Sequence, residues 1–225
     1  METQQGELQL GDFIKGRLLF LEDYCKRRGL DYPKTLAEVQ TQALRLAGTP
    51  EKAEFLKTRL FSGIVLSSSY FPDWVDKVLL EAITIAFKGP GAPLHTTTSR
   101  IPCITFEAGQ FNAHRQADTV FRAYFSGKRP EDWLKSGFVQ INRKCYGDAF
   151  ADHIQVEELG PRRFRVSIDN AGVEKADQMD CSTGVGYLYG ALEKLGVTGP
   201  LVTHDRCGLV PGSPDRICVY EISWR

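Results

Sequence analysis

Between Cys181 and Trp224 the chain carries three of its six cysteines and one of its four histidines, each at the edge of a segment rather than within an apolar face. Two residues lie between His204 and Cys207, a knuckle spacing that can turn both side chains toward one point, with Cys181 and Cys218 on either side in sequence. Three thiolates and an imidazole can close a tetrahedral shell of the kind that structural Zn²⁺ uses. A plainer reading of the same residues is three small buried thiols and a hydrogen-bonded core histidine. Half of a paired-knuckle signature does not choose between the two. As ligands, Cys181, His204, Cys207 and Cys218 would tie the start of a helix to the last two strands, and four donors with no open position point to a structural ion rather than a catalytic one.

The segments around these residues predict an α+β fold. Ile154 and Val156 alternate with polar neighbours, Gly160-Pro161 turns the chain, and Phe164, Val166 and Ile168 alternate with Arg163, Arg165, Ser167 and Asp169. That is a β-hairpin with one wet face. A helix follows Cys181, with Ser182-Thr183 as its capping residues, and its Gly184, Gly186 and Gly190 admit close approach of another backbone. Leu201–Thr203 and Ile217–Trp224 supply two more strands. The order strand-strand-helix-strand-strand implies an antiparallel sheet with a crossing helix, on which the N-terminal helices pack.

Residues 1–10 read as a polar tail and 11–225 as a single domain, with a mainly helical layer over 11–95 and the ligand- and metal-binding part over 96–225. Apolar residues at helical spacing predict helices from Phe13 to Arg28, stopped by Gly29, from about Thr35 to Gly48, and from Glu51 to Phe61. Pro72 opens a fourth, whose stripe runs from Trp74 to Phe87. A further helix is expected from Ala108 to Phe125. Phe106, Phe111, His114, Phe121, Tyr124, Trp133 and Phe138 read as the wall of an apolar ligand cavity, since rings cover much area with few rotatable bonds. The plainer reading is an ordinary aromatic core, with His114 satisfying a backbone carbonyl.

Lys plus Arg and Asp plus Glu both total 28, so no net field draws the chain to nucleic acid. No apolar run is long enough to span a bilayer, and the polar start is no signal peptide. These readings predict a cytoplasmic protein whose cysteines are free thiols or metal ligands. Gly184, Gly186 and Gly190 miss the dinucleotide-binding spacing, and the phosphate-loop, nucleophile-elbow and His-Glu-x-x-His signatures are absent. Cys145, beside Lys144, reads as a structural thiol, with a reactive or acylated one as the alternative.

Cys181, the glycine-rich helix, His204 three residues before Cys207, a glycine-containing loop, Cys218 and a short final strand together resemble the 4-vinyl reductase domain. That domain is shared by phenol-sensing input domains of bacterial transcription activators and, distantly, by TRAPP tether subunits. Gly11-Asp-Phe-Ile-Lys-Gly-Arg17 and Ser69-Tyr-Phe-Pro-Asp-Trp74 are similar to a related uncharacterised family expanded in myxobacteria. The resemblance implies a structural metal on Cys181, Cys207 and Cys218, with His204 where the family usually has a carboxylate; the loop from Cys207 to Cys218 is longer than the family's. It implies a non-catalytic sensory domain for a small apolar or aromatic ligand, acting through a homodimer or a signalling partner. A ligand-free interaction scaffold is the alternative reading, and an enzyme of unknown reaction the third.

Overall fold

The computed structural model describes residues 8–170, 178–210 and 212–225, and the chain divides into two compact units, residues 8–94 and 95–225. In the first unit, β1 (Leu8–Leu10) leads into α1 (Gly11–Arg28), followed by α2 (Tyr32–Leu46), α3 (Pro50–Phe55), a π-helical turn at Leu56–Phe61, β2 (Tyr70–Pro72) and α4 (Trp74–Lys88). The α1 helix has Asp12 in its first turn and Lys26, Arg27 and Arg28 in its last. Those charges match the helix dipole. Gly29 ends it at φ 64°, the left-handed conformation expected there. Asp31 caps α2 by accepting from the Lys34 N–H at 2.9 Å. Ile14, Phe20, Leu21, Val39, Ala43, Val75, Leu79 and Ile83 are buried and form this unit's core. Arg17 and Asp76 form a buried ion pair within it.

Two expectations change here. Leu8–Leu10 belongs to a strand rather than a tail, paired antiparallel with β2 in the register Leu8↔Pro72 and Leu10↔Tyr70. Pro72 therefore ends a short strand, and the helix starts two residues later. The expected helix from Glu51 to Phe61 is regular only to Phe55 and then widens into the π turn.

The second unit begins with α5 (Ile104–Asp118), α6 (Arg122–Phe125) and α7 (Pro130–Asp132), which runs into a π turn at Trp133–Gly137. Then come α8 (Phe138–Tyr146), α9 (Asp148–Ala151), β3 (Ile154–Gly160), β4 (Arg163–Asp169), α10 (Gln178–Lys194), β5 (Leu201–Arg206) and β6 (Ile217–Ser223). The four strands form an antiparallel sheet in the order β3-β4-β6-β5, so the α+β fold and the strand-strand-helix-strand-strand order stand. Period-2 patterning puts Cys218, Tyr220 and Ile222 of β6 on the buried face. The outer edge of β5 is covered by residues 96–99: the Ser99 N–H donates to the Val202 carbonyl (2.9 Å) and the His204 N–H to that of Thr97 (2.7 Å). No helix among the described residues is long and apolar enough to cross a membrane.

The α10 helix starts at Gln178, so Ser182 and Thr183 lie inside it rather than capping it, their hydroxyls donating back to the carbonyls of Gln178 and Met179. Ser182 has a second task, accepting the Thr96 N–H at 2.8 Å, which anchors the segment along β5. The glycines do what their spacing predicts. A Cβ on Gly186 would overlap the Phe106 carbonyl, and one on Gly190 would come within 2.7 Å of the Gln110 carbonyl oxygen, so α10 lies backbone-to-backbone on α5. Alanine at position 186 would gain about 1 kcal/mol of helix propensity, yet the overlap costs about 1–3 kcal/mol or more. We expect Gly186→Ala to lower the melting temperature in thermal unfolding; an unchanged or raised value would show that the helices stand further apart than described.

Candidate functional site

Three elements bring the four sequence-selected donors together. Cys181 sits in the first turn of α10, His204 on β5, Cys207 just after β5, and Cys218 on β6. Their ligand atoms all lie within 4.8 Å of one another. The Cys181 sulfur is 3.4 Å from that of Cys218 and 3.8 Å from that of Cys207. Cys181, His204 and Cys218 are buried and Cys207 is half-buried. Two local features hold this convergence. The β5–β6 register shifts between His204 and Arg206. Gly208 then lets the chain pass so close to Arg216 and Ile217 that a side chain there would overlap their backbone.

His204 stacks on Tyr220, with ring centroids 4.6 Å apart and planes 19° from parallel. Its Nε2 is buried with no hydrogen-bond partner. The Cys218 thiol is drawn down to about 4, chiefly by the hydrogen bond from Cys181 and further by the His204 ring beside it. Cys181 is pushed the other way, by donating to Cys218 and by burial. Burial and the neighbouring sulfurs raise Tyr220. Three sulfurs and an imidazole, one sulfur disposed to carry negative charge, form a donor set for a thiophilic cation.

The seven candidate cavity residues separate into groups. Phe106, on α5, packs on Tyr189 of α10 at 5.5 Å. His114 places Nε2 at 3.0 Å from the Glu193 carboxylate, not on a backbone carbonyl, and Gln110 donates to the same oxygen at 2.7 Å. Phe111 is half-buried on α5. Phe121 meets Tyr124 edge-on at 6.0 Å. Trp133, fully buried in the π turn, lies 5.1 Å from Phe125 and 5.8 Å from Phe138. The Trp133 indole Nε1 is buried without a hydrogen-bond partner. Gly137 faces that ring so closely that a Cβ would sit 2.6 Å from its Cδ1. Phe125, which the helical periodicity marks as apolar but not as cavity wall, and Gly137, which it does not mark, complete this group. Cys145 is buried on α8.

No family model matches the chain, and no curated protein matches it. Solved structures do, at full length. An oxygen-binding H-NOX domain related to soluble guanylate cyclases, in its oxygen complex, is 10% identical with a TM-score of 0.58, covering 96% of this chain and 94% of that one. An H-NOX protein from S. oneidensis in the Fe(II)NO ligation state is 13% identical with a TM-score of 0.59, covering 93% and 98%. A structure concerned with heme distortion in the H-NOX family is 12% identical with a TM-score of 0.61, covering 96% and 94%. At this identity the likeness shows the fold.

It also corrects two expectations. The similar solved structures are H-NOX domains, not 4-vinyl reductase domains or tether subunits, so that resemblance does not hold. The spacing that suggested it reports where Cys181, His204, Cys207 and Cys218 stand on the strand-strand-helix-strand-strand layer of this chain. Zinc falls with it, since the group that these structures name is heme.

Proposed function

We propose that the chain is a non-catalytic sensory domain that takes a small apolar molecule bearing a hydrogen-bond acceptor into the ring group around Trp133. The observation that carries this reading is the Trp133 indole N–H, fully buried and without a partner. Leaving such a donor unsatisfied costs about 1–3 kcal/mol, and a buried orphan in a folded protein calls for an explanation such as a missing ligand. The π turn that holds it is a departure from regular helix of the kind often found at functional sites. Trp133 touches Phe125 and Phe138, so a ligand enters by parting those rings. The full-length likeness to domains described as binding oxygen or ligated by NO supports a small-molecule sensor.

The histidines do not carry heme over to this chain. Its iron takes an axial His, Cys, Met or Tyr. Of the four histidines, His95 is exposed, and His153 is largely exposed with Asp169 at 3.8 Å. His114 is held by Glu193, and His204 is stacked on Tyr220 inside the thiol cluster. None of these histidines offers a ring nitrogen to an apolar slot, so they do not fit an axial role. The second element of the reading is that Cys181, His204, Cys207 and Cys218 hold a thiophilic metal ion that pins α10 to β5 and β6. The orphaned His204 Nε2 within the donor group supports it.

The test titrates small aromatic aldehydes and ketones, read by the Trp133 indole N–H resonance in the parent and by calorimetry in parent and variant alike. One hydrogen bond is worth about 0.5–1.5 kcal/mol, so Trp133→Phe should weaken binding roughly three- to tenfold while removing the orphan donor from the free protein. A probe set in which no member moves that resonance would sink the ligand reading.

A further inference from the structure

A second site lies at the end of the sheet opposite the cysteine cluster. A recess of about 660 Å³ is walled by Pro130 and Glu131 at the start of α7, Arg162 in the β3–β4 turn, the loop Leu195–Gly199 after α10, and Trp224 and Arg225 after β6. Its volume is within the range of small-molecule sites. Arg162 is the one described non-glycine residue in the left-handed region, at φ 56°. Glycine or asparagine would adopt that conformation more cheaply, and strain of this kind collects where function over-determines the backbone. The turn is fixed in place, because the Trp224 N–H donates to the Arg162 carbonyl at 3.2 Å. The Trp224 ring is fixed as well, stacked on Phe164 with centroids 5.6 Å apart and planes 5° from parallel. Arg129, Arg143, Arg165 and Arg206 all have carboxylate partners. Arg162, by contrast, has no carboxylate within ion-pair distance among the described residues.

We propose that this recess binds a small monocarboxylate with a planar or apolar body. The Arg162 guanidinium presents a fork that matches a carboxylate, and the held indole of Trp224 offers a flat face for the body. Arg162 is the cation left for a ligand, and the Glu131 carboxylate in the same wall disfavours the second negative charge of a phosphate monoester. The recess also has a route to the ring group. Trp224 stacks on Phe164, and the Lys135 ammonium lies 5.7 Å over the Phe164 ring, in the same π turn that holds Trp133. The wall residues Pro130 and Glu131 open the helix that runs into that turn. Occupancy of the recess therefore bears on the segment that presents Trp133.

The experiment follows the three indole N–H resonances of the full chain during titration with benzoate and indole-3-acetate, with benzyl alcohol and phenyl phosphate as controls. Trp224→Phe identifies its resonance. The expected result is a saturable shift of the Trp224 signal with the two carboxylates and a smaller one with either control. Arg162→Gly is the decisive variant, because glycine accepts φ 56° without strain, so melting should hold or rise while carboxylate affinity falls about tenfold or more. Arg162→Lys should fall between. Three outcomes overturn the proposal: no shift up to the solubility of the probes, an equal response to the neutral alcohol, or full affinity in Arg162→Gly. None of these touches the Trp133 reading, whose probes carry no charge.

Discussion

Cys218→Ser is expected to strip bound metal from the protein and to destabilise it by about 3–5 kcal/mol, a fall in melting temperature of about 10 °C for a chain of this length. Cys218 is the donor to remove because it is 1% exposed and its sulfur lies 3.4 Å from that of Cys181, inside the group. Binding energies of about 10–16 kcal/mol are typical for thiolate and imidazole sites that fold a peptide from nothing. Here α10 and the sheet have packing of their own, so only part of that is at stake. A metal-free cluster behaves differently, since exchanging one buried thiol for a hydroxyl among donors costs only about 1 kcal/mol. Cys25→Ser, buried in the other unit with no cluster around it, calibrates that smaller figure. Elemental analysis of parent and variant under reducing conditions reads the metal directly and names it. A parent without metal and a variant that melts within a few degrees of it would reduce the four residues to packing. Because thiolates must be deprotonated to bind, the metal-dependent part of the stability should shrink as pH falls.

The same donor group shows what could be read from the sequence and what could not. Ligand types are a property of residue identity, so Cys181, His204, Cys207 and Cys218 stood out before any fold was known. The hairpin was equally legible, because residues 154–157 and 163–169 alternate apolar with polar residues and a half-buried strand imposes that period. Strands of three residues impose no period, which is why β1 and β2 escaped. Ser182-Thr183 has the composition of a cap, and only the tertiary bond from Thr96 shows the hydroxyls at work inside a helix. The π turns leave no mark on composition. The aromatic run from Phe106 to Phe138 looked like one wall because sequence gives spacing but not direction. In the structure α5 commits Phe106 and His114 to α10, and the breaks at Thr119 and Ser126 return the chain so that Trp133 meets Phe125. The orphaned indole N–H is a fact about what surrounds a side chain, and no single-sequence signal carries it. The likeness to the solved structures was the least legible of all, since at 10–13% identity backbone architecture persists while residue signatures do not.

Arg17→Met is expected to cost about 3–5 kcal/mol, because it leaves the Asp76 carboxylate buried without its counter-charge. The two side chains are 1% and 5% exposed, and the guanidinium meets the carboxylate with both Nε and Nη2, at 2.9 and 3.0 Å. Arg17 lies on α1 and Asp76 in the first turn of α4, so the pair fixes those helices against each other. The pair is not fully satisfied, since Nη1 of Arg17 is buried without a partner. That makes its net contribution small even though breaking it is costly. Replacing both partners with apolar residues, Arg17→Met with Asp76→Leu, should therefore recover most of the loss, as buried ion pairs exchanged for well-packed hydrophobes are often neutral or better. Denaturant unfolding of the two single variants and the double gives the coupling directly. A single variant that costs under about 1 kcal/mol would mean that water reaches Asp76 and the pair is a surface one. A double variant as unstable as the singles would mean that the ion pair specifies how α1 meets α4, beyond its own energy.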